Sequence, residues 1–158
     1  MGSGTILLEV LAAIDLLKDF DVSADVWSAT SFTELRRDAL TVQRWNQLNP
    51  DKKPKESFVN QQLKSVKGPI VAATDYIKSY ADSIQPFVKQ PYYTLGTDGF
   101  GRSDTRQRLR HHFEVSRYYI AYTALVSLFH ENQIDQRVLL KAREKFNIDK
   151  DKADPRIL

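Results

Sequence analysis

Apolar residues recur along this chain in two rhythms. Ile6, Leu7, Val10, Leu11, Ile14 and Leu17 fall on one helical stripe. Ser3 or Thr5 can cap its start. Residues 25–29 read as a short buried strand through Val26-Trp27-Ser28-Ala29. Ser31-Phe-Thr-Glu34 is a capping-box pattern, and Phe32, Leu35, Ala39, Val42 and Trp45 follow it at helical spacing. Residues 49–55 are polar, hold Pro50 and Pro54, and predict a loop. A short helix is expected over 58–63.

A second strand is predicted at Pro69-Ile-Val-Ala-Ala73, then a helix capped by Thr74 or Asp75 and carrying Ile77, Tyr80, Ala81, Ile84 and Phe87. Pro91 stops that region, and residues 92–95 make a third strand. Next comes the turn Gly96-Thr-Asp-Gly99-Phe-Gly101, and Ser103 or Asp104 caps a helix running to about His112. Ser116 caps a longer helix with Tyr119, Ile120, Thr123, Val126 and Phe129. Asp135 caps the last, with Val138, Leu139, Ala142 and Phe146. The charged tail, 149–158, is expected to be loose.

Short apolar strands alternating with amphipathic helices predict an α/β fold, an open and mostly parallel sheet flanked by helices. Three strands are few for six or seven helices. Gly2-Ser3-Gly4-Thr5 looks like the loop that follows a strand. An edge or near-edge first strand is therefore expected to be truncated here, or to lie in a preceding domain. Residues 1–158 otherwise read as a single domain, without repeats or low-complexity tracts.

Composition narrows the function classes. With no cysteine, disulfides, thiolate metal sites and a cysteine nucleophile are excluded, which fits a reducing cytoplasm. No apolar run approaches the roughly 18 residues of a membrane helix. The stretch 6–17 carries Glu9 and Asp15 and lacks a basic region before it, so it is not a secretory signal. Net charge is +3 but uneven. Residues 1–35 hold six acids and one base, whereas residues 36–67 hold eight bases and three acids. These charges suit solvated helix faces and a loop, no nucleic-acid signature accompanies them, and neither a nucleic-acid nor a membrane partner is expected.

The glycine turn is the sharpest candidate. Such turns between strand and helix can cradle phosphate on backbone N–H groups. The spacing is not G-x-G-x-x-G, however, and no G-K-[ST] follows. The competing reading is a tight turn needing positive φ, with Phe100 packed as an anchor. Arg102, Arg106 and Arg110 follow at i, i+4 spacing and would share a helical face. They could grip an anionic partner or a neighbouring domain. Equally, they could form a solvated face or pair internally with Asp98 or Asp104. His111 and His112 are adjacent and diverge on a helix, so they cannot bind metal in the H-E-x-x-H manner. His130 is isolated, no G-x-S-x-G occurs, and no magnesium-type aspartate cluster appears. No catalytic or metal residue is assigned. The aromatics Tyr118, Tyr119, Tyr122 and Phe129 read as core and interface.

Leu95-Gly-Thr-Asp-Gly-Phe-Gly-Arg-Ser-Asp104, followed by Arg106 and Leu109-Arg-His-His-Phe-Glu-Val115, strongly resembles the carboxy-terminal domain of the homodimeric bacterial pyruvate dehydrogenase family. Gly2-Ser-Gly-Thr5, Trp27-Ser28, residues 30–35, Arg44-Trp-Asn46, residues 72–76 and Phe146-Asn-Ile-Asp149 agree. A weaker likeness extends to transketolase carboxy-terminal domains. The resemblance implies a parent of three α/β domains, homodimeric and cytoplasmic. That parent decarboxylates pyruvate on thiamine diphosphate and magnesium, then acetylates lipoyl groups of the dihydrolipoyl acetyltransferase. This domain would hold neither thiamine nor magnesium ligands. It would support the subunit and its dimer contacts, with Asp98, Arg102, Arg106 and Arg110 as candidate interface or anion contacts. The alternative is a regulatory module that binds an anionic effector at the turn and arginines. The domain alone is expected to be inactive and to expose apolar surface where its sister domains dock.

Overall fold

The computed structural model describes residues 1–157. In chain order the elements are α1 (Leu7–Lys18), α2 (Phe32–Leu48), α3 (Phe58–Leu63), β1 (Ile70–Ala73), α4 (Lys78–Asp82), β2 (Tyr92–Leu95), α5 (Arg106–His112), α6 (Arg117–His130) and α7 (Gln136–Lys145). Short 3-10 turns at Gly4–Ile6 and Gln85–Phe87 precede α1 and follow α4.

β1 and β2 pair in parallel, with Ile70 opposite Tyr92 and Ala73 opposite Leu95. The extended start of the chain lies along the other side of β1. The Ala73 N–H donates to the Met1 carbonyl at 3.0 Å, and the Ser3 N–H donates to Ala73 at 3.1 Å. Beyond it runs the segment around Ser28, where the Gly2 N–H donates to Trp27 and the Ala29 N–H to Gly2, both at 2.9 Å. The expected strand at 26–29 is thus reduced to one bridge between Gly2 and Ser28. Its pairing partner is only the short run 1–3, too little to build a ladder.

Side-chain alternation along β1 divides the core. Ala73 packs with Ile6, Val10, Ala13 and Leu17 of the first stripe, with Ile120, Ala121 and Leu125 of α6, and with Ala142 and Phe146 at α7. Ile70 and Ala72 meet Phe32, Val59, Leu63, Ala81 and Ile84 on the opposite face. A sheet covered by helices on both faces explains the unbroken apolar run Ile70-Val-Ala-Ala73. The stripe on α1 departs from expectation at Leu11, which is exposed, and at Glu9 and Ala13, which are buried.

Several helix starts differ from the predicted caps. Ser31 accepts from the Glu34 N–H at 3.2 Å and Asp135 accepts from Arg137 at 2.8 Å, as expected. Ser3 instead donates to Thr74 Oγ1 at 2.8 Å, and Thr105, not Ser103 or Asp104, caps α5. The helix predicted after Thr74 begins only at Lys78 and turns 3-10 at Gln85. Pro86 sits in that turn, where its missing N–H costs no helical bond.

The charged tail, expected to be loose, is docked at Lys152 and Pro155; residue 158 lies outside the described residues. Lys152 Nζ donates to the His112 carbonyl at 2.8 Å and to the Glu114 carboxylate at 2.9 Å. Pro155 is buried against the glycine turn.

Candidate functional site

The turn after β2 is locked to the segment after β1. The Thr97 N–H donates to the Tyr76 carbonyl at 2.9 Å, and Thr97 Oγ1 donates to the Asp75 carbonyl at 2.7 Å. Gly96 permits that approach: a Cβ there would lie 2.7 Å from Tyr76 O and from Lys78 N. Asp98 Oδ1 accepts from the Lys78 N–H at 3.0 Å and so caps α4 from outside its own segment. Gly99 has φ +117°, and a Cβ would collide with the Pro155 carbonyl. The turn is thus a geometric device. Phe100, expected to be its packed anchor, is instead 77% exposed. The anchoring role falls to Pro155 and the Asp98 cap.

The arginines separate. α5 begins at Arg106, so Arg102 lies on its extended approach rather than on a shared helical face. Arg102, Arg106 and Arg110 still border one cleft of about 340 Å³ with Gly99 and Gly101, and Asp75 faces the same space. Asp98 lies outside it. Of the expected internal partners, neither Asp98 nor Asp104 takes Arg110. Arg110 Nη1 donates to Glu9 Oε1 at 2.8 Å.

Glu9 organises this end of the molecule. Its Oε2 accepts from the Arg117 backbone N–H at 2.8 Å and from Arg117 Nε at 3.0 Å, and its Oε1 accepts from Arg117 Nη2 at 2.9 Å. The carboxylate therefore caps α6, whose own Ser116 makes no side-chain cap. An anion at a helix N-terminus also meets the positive end of the helix dipole. Burial pushes the Glu9 carboxyl up, but the hydrogen bonds and charges of Arg117 and Arg110 outweigh it and hold it below its ordinary range. The signal in the sequence was an acid inside the Ile6–Leu17 stripe, three residues after Ile6 and four before Ala13.

The histidines find local partners. His111 packs edge-on to Tyr119, with ring centroids 5.3 Å apart. Burial, Arg102 and Lys152 push His112 below the usual histidine range, against a smaller opposite pull from Glu114. His130 Nδ1 is 3.1 Å from the Tyr93 hydroxyl. Among the described residues, no three His, Cys, Asp or Glu side chains converge as metal ligands would, and no helix is long and apolar enough to cross a membrane.

A parallel sheet covered on both faces, with a glycine turn tied to the loop beside it, defines a transketolase-type carboxy-terminal domain. The chain belongs to that family: the sequence model of the Transketolase-like TK C-terminal domain matches residues 1–116. Over nearly its whole length it is similar to pyruvate dehydrogenase E1 components. It is 50% identical over 156 residues to that of Cupriavidus necator, covering 98% of this chain and 17% of the relative. The Pseudomonas aeruginosa protein is 50% identical over 157 residues, covering 98% and 18%. The Escherichia coli K12 protein is 46% identical over 159 residues, covering 99% and 18%. The chain therefore spans less than a fifth of these relatives.

Proposed function

We propose that this domain is the non-catalytic, dimer-supporting carboxy-terminal part of a pyruvate dehydrogenase E1 component. The carrying observation is the near-complete coverage of this chain by E1 relatives at up to 50% identity. The internal engagement of the signature residues supports it. Asp98 caps α4, and Arg110 joins Arg117 on Glu9. In this reading the parent enzyme decarboxylates pyruvate on thiamine diphosphate and magnesium and transfers the acetyl group to lipoyl groups of the dihydrolipoyl acetyltransferase. In this reading the thiamine diphosphate and magnesium sites belong to the rest of the parent.

The partners of the domain are the preceding domains and a second subunit, in the bacterial cytoplasm. Tyr76, Ile77, Tyr80 and Phe100 stand exposed on and beside the tied loops, as contact residues would. Incubating the 158-residue chain with thiamine diphosphate, magnesium and pyruvate tests the reading. No decarboxylation above a blank is expected, and turnover by the chain alone would overturn it.

A further inference from the structure

We infer that the cleft between α5 and the first turn of α6 binds a compact, multiply charged phosphate group. The cleft is about 840 Å³, within the range of small-molecule sites. Five cationic side chains border it, Arg106, Arg108, Arg110, Arg117 and Lys152, against Glu9 in its lining and Glu114, which already holds Lys152 at 2.9 Å. Both Glu9 oxygens are taken by Arg110 and Arg117, so that carboxylate has nothing left for the other cations. Arg108 is 3.9 Å from Asp104, beyond hydrogen-bond reach, and Arg106 has no hydrogen bond or ion pair among the described residues. This corner thus carries a surplus of positive charge with donors to spare.

A second observation points to a ligand. Ser116 borders the cleft, is 6% exposed, and its Oγ has no hydrogen-bond partner. His112 also borders the cleft, and its buried Nε2 is likewise unpartnered. Buried polar atoms are ordinarily satisfied, and two that are not lie on residues bordering this basic hollow. A phosphate oxygen accepts from a hydroxyl and from a ring N–H, and the planar arginine fork can grip a phosphate through two parallel N–H donors. The cleft differs from the one at Gly99 and Gly101. Arg102 is absent from it, and Arg108, Ser116 and Arg117 are added. The inference goes beyond the structural role proposed above and stands on this cleft alone.

Calorimetric titration of the 158-residue chain with inorganic pyrophosphate at low ionic strength is the test. Binding is expected to weaken roughly tenfold in an Arg106→Ala/Arg108→Ala variant, which removes two exposed side chains and leaves the fold intact. Ser116→Ala is expected to weaken it roughly threefold. An Arg36→Ala/Arg44→Ala control, with the same charge change on α2, is expected to bind as the parent chain does. Flat titrations at millimolar pyrophosphate would overturn the site. So would equal losses in the control pair, which mean diffuse attraction. A hexaglutamate peptide binding as tightly as pyrophosphate would overturn the assignment to phosphate.

Discussion

Glu9 and Arg117 are joined by three hydrogen bonds across 108 residues of sequence. One of the three is the backbone N–H that opens α6, so a side chain of α1 starts the longest helix of the domain's second half. Removing the acid leaves Arg110 and the α6 N-terminus without their anion. Glu9→Ala is expected to cost about 2–4 kcal/mol, below the upper range for buried pairs because Arg117 is partly exposed. The urea midpoint of unfolding checks it. Because the Glu9 carboxyl is held below its ordinary value of 4.5, its contribution is present above that pH. It is lost as pH falls through the lower folded value.

Gly99 and Gly101 are two residues apart and should answer alanine differently. Gly99→Ala places a side chain at φ +117° and against Pro155. It is expected to cost about 1–3 kcal/mol and to release the tail, exposing Lys150 and Lys152 to trypsin. Gly101 has no heavy atom within 4 Å of a built Cβ and no positive φ. Gly101→Ala is expected to be neutral or to stabilise by up to about 1 kcal/mol. Thermal unfolding of the two variants separates them.

Elements governed by local pattern were legible and those governed by distant contacts were not. The capping box at Ser31, the strands Ile70–Ala73 and Tyr92–Leu95, the helix Phe58–Leu63 and the Asp135 cap follow from neighbours a few residues apart. Asp98 capping α4 and Glu9 capping α6 act across 20 and 108 residues, and no local rule reaches that far. The tail reads as loose because its composition is charged, yet Lys152 and Pro155 dock it on loops folded elsewhere. Of the candidate site, the glycines are where the motif placed them. The packing expected of Phe100 is supplied by Pro155.

The Met1 amine is another buried charge. It donates to the Val71 carbonyl at 2.6 Å, and burial lowers its pKa from 8.0 to about 6. The unfolded chain therefore binds more protons between these values, and stability rises with pH across that window. The gain is about 2 kcal/mol, measured as unfolding free energy from pH 6 to 8.5. An apolar hollow beside Met1 is lined by Val10, Ala13, Leu17, Val26 and Val71. An apolar extended segment added ahead of Met1 is expected to raise Tm and to flatten this pH dependence.

Tyr76 and Phe100 contribute little to the fold of the isolated domain. Tyr76→Ser and Phe100→Ser are each expected to change stability by less than about 0.5 kcal/mol. They are expected to reduce self-association of the isolated chain in sedimentation velocity, since exposed apolar side chains drive such contacts. An unchanged association with both replaced would move the docking surface elsewhere, with Leu8 and Leu11 of α1 as the next face to test.

Complementation asks whether the parent dimer needs this domain. An E1 chain deleted of the region matching this domain is assayed for dimerisation and pyruvate decarboxylation, then assayed again with the 158-residue chain added back. Loss of the dimer and of activity is expected on deletion, and recovery of both on addition. A deleted enzyme that remains dimeric and fully active would contradict the dimer-supporting role.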